Sequence, residues 1–223
     1  MPVYDFHTHS FLSDGVLAPM ELIRRAYDKG YRAIAITDHV GLATQERVVP
    51  VLVEECARAT ARWDIIVIPG VEITHVPAGL IPEAAERAKA LGARLVVVHG
   101  ETIVEPVEPG SNASAVGSSH VDILAHPGLL TLEVARAAAR RGVYLEVSAR
   151  RGHSLTNGHV VNQAKLASAQ LLLDSDAHTP EELLTAPLAR QIGEGAGLDA
   201  ETLDAILDTN PRKLLKKLGF SLT

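Results

Sequence analysis

Asp5-Phe6-His7-Thr8-His9 places two histidines two positions apart. In an extended segment successive side chains alternate between faces, so both imidazoles point the same way. Comparable groups recur along the chain in Thr37-Asp38-His39, Pro69-Gly70-Val71-Glu72, His99-Gly100, His126-Pro127-Gly128 and Asp174-Ser175-Asp176-Ala177-His178. Imidazole mixed with carboxylate, without thiolate, suits Zn, Mn or Fe, whereas Ca and Mg sites are built from oxygen. Any one of these histidines alone reads equally well as a hydrogen-bonded core residue. Six of the ten (His7, His9, His39, His99, His126 and His178) close short apolar runs, a placement that packing alone does not predict. Each ion takes roughly four to six donors counting water, so a set of this size serves two or three ions only if one carboxylate bridges. Glu72 is the natural bridge.

The apolar runs that end in these groups are short and rich in β-branched residues: 3–6, 33–37, 65–68, 95–98, 121–125, 143–147 and 170–173. Segments of helical spacing lie between them at 20–29, 45–62, 82–91, 132–141 and 158–168. Strand alternating with helix implies parallel strands and crossover helices, and about seven such units favour a closed or nearly closed barrel over an open doubly wound sheet. No Gly-rich phosphate loop follows the first strand, which removes the usual signature of the open form. In a parallel barrel the C-terminal strand ends share one rim, so ligands far apart in sequence converge. One irregular stretch, 101–119, follows His99 directly, and unstructured loops of that length are often functional.

With 223 residues, 47% hydrophobic but only 4% aromatic, the chain has material for one core of Ala, Val, Ile and Leu and is expected to form a single domain over residues 1–223. A net charge of −6 argues against a broad nucleic-acid surface. Cys56 is the only cysteine, so no intrachain disulfide forms. No leader pattern and no apolar run of bilayer length is visible, and a cytoplasmic protein with no membrane partner is expected.

Taken together, His7-Thr8-His9, Asp14-Gly15, Thr37-Asp38-His39, Pro69-Gly70-Val71-Glu72, His99-Gly100, His126-Pro127-Gly128 and Asp176-Ala177-His178 resemble the PHP family, named for polymerase and histidinol phosphatase. The likeness runs from His7 to His178. It implies an α/β fold, a distorted (β/α)7 TIM-like barrel, and a centre of two or three divalent ions. One ion would take His7, His9, Glu72 and Asp176; a second would share Glu72 and add His99 and His126; a third would use His39, His178 and Asp14. Some family members carry His where this chain has Asp14, and Asp before Gly15 is also a common turn residue.

The resemblance further implies a hydrolase of phosphate esters, in which water activated by the ions attacks phosphorus. Glu72, Asp176 and His178 are the expected catalytic residues, the last two as acids for the leaving alkoxide. Phosphate recruits arginine for its two-pronged fork. Arg150 and Arg151, after the sixth strand, are therefore the expected substrate-binding residues, with His153 beside them and Ser148 and Asn157 as pocket lining. Glu101, Glu105 and Glu108 read first as a solvated acidic loop, and alternatively as partners for a cationic substrate group. Asp38 and Asp174 flank ligands and are expected to orient them, while His75, His120 and His159 are assigned to surface or packing. The leading expectation is a phosphatase of a small-molecule monoester, histidinol phosphate being the family's best-known example. A nuclease or nucleotide phosphatase, which needs a basic groove, and a non-catalytic metal-bound domain are the alternatives.

Overall fold

The computed structural model describes residues 2–221. Seven parallel strands lie side by side in chain order: β1 (Val3–Asp5), β2 (Tyr31–Ile36), β4 (Ile66–Ile73), β5 (Leu95–His99), β6 (Ile123–Ala125), β7 (Tyr144–Ser148) and β8 (Leu171–Asp174). The short β3 (His39–Val40) continues the line of β2 and pairs with the second half of β4, His39 opposite Glu72. The segments carrying His39 and Glu72 are thereby set in register by backbone pairing. Helices α1 (Pro19–Asp28), α2 (Gln45–Thr60), α3 (Ile81–Ala90), α4 (Ser111–Gly117), α5 (Leu132–Arg141) and α6 (Asn157–Ala167) connect the strands. After β8 come α7 (Ala186–Gly195), α8 (Ala200–Asp204) and α9 (Asn210–Lys217).

Strands buried on both faces read as unbroken apolar runs, as in Leu95-Val96-Val97-Val98. Alternation then sorts the side chains. Ile34, Ile36, Val96, Val98, Leu145 and Val147 pack outward against the helices. Ala33, Ala35, Leu95, Val97, Ile123, Ala125 and Leu172 form an inner cluster. Leu214 and Leu215 of α9, with Leu218, join that inner cluster, and Asn210 Nδ2 donates to the Leu171 carbonyl at the start of β8, so α9 closes the N-terminal end of the barrel. Toward the other end the same faces turn polar: Val97 gives way to His99, Tyr144 to Glu146 and Ser148, and Leu172 to Asp174, all buried.

Strands β1 and β8 meet without a regular ladder. Instead Asp174 Oδ1 accepts from Phe6 N at 2.7 Å and Asp5 Oδ1 accepts from Ser175 N at 3.0 Å. Backbone pairing resumes only at the rim, where Asp176 N donates to the His7 carbonyl (2.8 Å) and His9 N to that of Ala177 (2.9 Å). The barrel is nearly closed, as the strand–helix alternation implies.

The stretch 101–119 is not wholly irregular, since it contains α4. Gly110, at φ 97°, turns the chain into that helix. The carboxylate of Glu101 accepts from Gly110 N (3.0 Å) and Asn112 N (2.8 Å), a cap supplied from outside the helix that no local pattern reveals. Among the described residues no helix is long and apolar enough to cross a membrane.

Candidate metal centre

The C-terminal strand ends converge on one cleft of about 400 Å³, lined among others by Asp14, His39, His99, His126, Arg150, His153, Asp176 and His178. His7 and His9 point into the buried floor together, as their spacing requires. His7 Nε2 lies 3.2 Å from Glu72 Oε2, and His9 Nε2 lies 3.2 Å from Asp176 Oδ1. Glu72 also approaches His39 Nδ1 (2.7 Å) and His126 Nε2 (3.4 Å). On the outer side Asp14 Oδ1 lies 3.1 Å from His178 Nε2 and 3.5 Å from His39 Nε2. The donor atoms fall into groups His7/His9/Asp176, His7/Glu72/His126 and His9/Asp14/His39/His178, each with all members within 4.8 Å of one another.

Proximity has not turned these approaches into hydrogen bonds. Among the described residues His7 Nε2, both ring nitrogens of His9, both oxygens of Glu72 and His126 Nδ1 are buried with no hydrogen-bond partner, despite the close approaches. Each such group costs roughly 1–3 kcal/mol if left unsatisfied. Nitrogen and oxygen donors gathered in this way fit divalent transition ions. Several rings are also oriented from behind through Nδ1. His7 Nδ1 lies 2.6 Å from Glu146 Oε1, His99 Nδ1 3.1 Å from the Gly100 carbonyl and His178 Nδ1 2.9 Å from the Asp176 carbonyl. Fixing one ring nitrogen leaves Nε2 directed at the cleft, the arrangement expected of a ligating imidazole.

Backbone strain is concentrated at the same place. His75 (φ 51°), His126 (φ 24°) and Asp176 (φ 53°) all occupy the left-handed region and all line the cleft. Such residues cost on the order of 1–3 kcal/mol each and persist where the surroundings hold them.

Burial and charge oppose each other throughout the cleft. Burial raises the Glu72 carboxyl, but the charges of His7 and His39 outweigh it and hold Glu72 well below the usual range. Burial disfavours charge on His39, yet Glu72 overrides it and lifts the imidazole to about 9. Burial wins at His9, pushed down to about 3, and at His153, pushed down to about 4. A hydrogen bond from His99 holds Glu105 at about 2.

Arg150 lines the cleft, with Nη1 donating to the Asp176 carbonyl at 3.0 Å and lying 2.7 Å from His178 Nδ1. Arg151 is exposed and does not line the cleft, so of the expected pair only Arg150 reaches it. Ser148 and Asn157 bond to each other's region rather than lining the cleft: Asn157 Oδ1 accepts from Ser148 N and Nδ2 donates to its carbonyl. Asp38 accepts from Ser10 and Ser13 and so braces the loop that carries Asp14, and Asp174 accepts from Phe6 N; neither bonds a ligand imidazole. That role belongs to Glu146, which the sequence reading passed over. Its one signal was a lone acid inside the apolar strand Tyr144-Leu145-Glu146-Val147. His75 is exposed, as its assignment to the surface or packing expects, and also lines the cleft, whereas His159 Nε2 bonds the Leu130 carbonyl as a packing residue would. Glu105 also faces the cleft, while Glu101 and Glu108 fasten backbone amides.

The sequence profile of the PHP domain matches residues 5–98, a stretch that holds His7, His9, Asp14, His39 and Glu72 and stops one residue before His99. An uncharacterized protein of Methanocaldococcus jannaschii is 45% identical over 216 residues, covering 96% of this chain and 99% of that one. A protein of Shewanella halifaxensis named a probable phosphatase is 29% identical, covering 96% of this chain and 92% of its own. In fold the chain is similar to the histidinol phosphate phosphatase of Lactococcus lactis, solved with zinc, L-histidinol and phosphate, with a TM-score of 0.56 at 16% identity over 98% of this chain and 94% of that one. A seven-stranded, nearly closed barrel whose first strands match this profile, and which aligns from end to end with whole relatives, belongs to the PHP domain family.

Proposed function

We propose that the chain is a metal-dependent phosphoesterase that hydrolyses a small-molecule phosphate monoester. The observation that carries this reading is the buried convergence of imidazole and carboxylate donors without hydrogen-bond partners, directly beside the Arg150 guanidinium. His7, His9, Glu72 and Asp176 would hold one divalent ion, Glu72, His99 and His126 a second, and Asp14, His39 and His178 a third. Bound ions of this kind lower the pKa of water and offset the charge of the phosphate oxygens.

The chain's own side chains supply the rest. Glu72, with oxygens facing His7, His39 and His126, balances charge at the floor and positions those three rings. Arg150 binds the phosphate: Nη1 is tethered to the Asp176 carbonyl, which sets the plane of the fork at the mouth of the cleft. Asp176 and His178 would be held as ligands without a proton at the ligating atom, so the departing alkoxide oxygen would take its proton from water in the cleft. The cleft of about 400 Å³ accommodates a metabolite-sized ester, and the phosphatase names of full-length relatives favour a monoester.

A panel of phosphate esters assayed with Zn, Mn and Fe, including histidinol phosphate, a mononucleotide and a short oligonucleotide, tests the reading. Turnover of small monoesters above the oligonucleotide is expected. No hydrolysis of any member with any of the three metals, by protein shown to bind them, sinks it.

A further inference from the structure

The donors on the rim extend beyond the nine residues of the family pattern. His99, His126 and His153 are all buried and present ring nitrogens within 4.8 Å of one another. The rings of His126 and His153 stack with centroids 4.1 Å apart, and that of His99 meets His126 edge-on at 4.5 Å. His153 is oriented as His7, His99 and His178 are: Nδ1 lies 2.7 Å from Thr102 Oγ1, and Nε2 faces the cleft, where Glu105 Oε1 is 3.5 Å away. The other oxygen of Glu105 lies 3.0 Å from His99 Nε2.

Glu105 is brought there by a loop fastened on several sides. Glu101 accepts from two amides at the loop's far end, Glu108 Oε2 accepts from Ala78 N at 3.1 Å, and Val104 lies over Gly152. A solvated acid needs no such bracing. A cationic substrate group would find this carboxylate already faced by His99 and His153, with His75 Nε2 a further 3.9 Å contact.

We propose that the ion assigned to His99 and His126 takes two further donors from the loops above it, His153 Nε2 and the Glu105 carboxylate. The inference rests on reading the cleft as a metal centre. A neutral imidazole and a carboxylate match the donor preference of the strand-end residues, and the carboxylate adds a negative charge beside His153 Nε2, which Asp176 Oδ2 also approaches at 3.8 Å. Because both donors sit on loops, the ion also ties the β5–α4 connection to the β7–α6 connection.

Metal-free full-length protein titrated with Co²⁺, followed by visible absorption and by elemental analysis, tests this. Glu105→Gln and His153→Gln should each weaken one binding step by at least about tenfold, leave the other steps in place, and change the intensity of the cobalt band, because a direct donor is lost. Glu105 is 37% exposed at its side chain, so its variant remains informative if His153→Gln fails to fold, and thermal unfolding of the metal-free variants checks this. A variant whose isotherm and spectrum superimpose on wild type overturns that residue's part. A wild-type chain that takes up no Co²⁺ overturns the metal reading beneath it.

Discussion

Glu72 faces three imidazoles at 2.7–3.4 Å from a fully buried position, and among the described residues no second carboxylate reaches all three. Glu72→Ala is therefore expected to abolish turnover and lower bound metal more than His7→Ala does; wild-type metal content in Glu72→Ala by elemental analysis would remove the bridge. Arg150→Ala should lower kcat/KM by about thirty- to a thousandfold, roughly 2–4 kcal/mol for a lost charge-assisted contact, with metal content intact. Arg151→Ala should stay near wild type, since Arg151 lies outside the cleft, and steady-state kinetics on the best ester separate the two. The proton on His39 sets a pH dependence. Its imidazole is raised from an ordinary 6.5 to about 9, so its contribution to the metal-free fold is complete below pH 6.5 and is lost as pH rises through 9. The same proton opposes metal binding, so affinity should climb across that window with proton release, measurable by calorimetry in buffers of different ionisation heat. Flat affinity would remove His39 from the ligand set.

Strand ends deliver the candidate donors, and glycines let the delivering loops pass close together. A Cβ on Gly128, at φ 62°, would stand 1.9 Å from the Glu101 carbonyl oxygen, and one on Gly100 2.2 Å from that of Ala125. Gly128→Ala should push the β6–α5 and β5–α4 loops apart and destabilise by about 3 kcal/mol, a fall in Tm of roughly 6–12 °C. An unchanged Tm would show that these loops yield freely. At this scale the sequence was legible where the chemistry is local: an apolar run ending in His or Glu announces both a strand and what it carries, as at Val97-Val98-His99. It was not legible where a partner comes from a distant loop. Nothing near Ser111 shows that Glu101 caps α4, nothing near His7 points to Glu146, and adjacency made Arg150 and Arg151 look equivalent although only Arg150 lines the cleft. The short helices after β8 carry apolar pairs such as Leu214-Leu215, whose burial follows from the open end of the barrel and not from their own periodicity.

For the whole molecule, ions bound only by the folded state add stability by mass action, about 2.7 kcal/mol for one site at a hundredfold excess over Kd. Loading should raise Tm by roughly 5–10 °C and chelation should reverse it, as calorimetry would record; no shift would mean that the donors do not act together. The rim pairing of His7 and His9 with Asp176 and Ala177 has a consequence for how the protein is made. The ribosome releases the first two imidazoles early and Asp176 and His178 only after all seven strands have been synthesised, so under the proposed ligand assignment a nascent chain carries an incomplete set throughout most of its synthesis. Metal capture is then a late event that reports a finished ring: stalled chains ending before β8 should hold ions weakly, and the finished chain should hold them tightly.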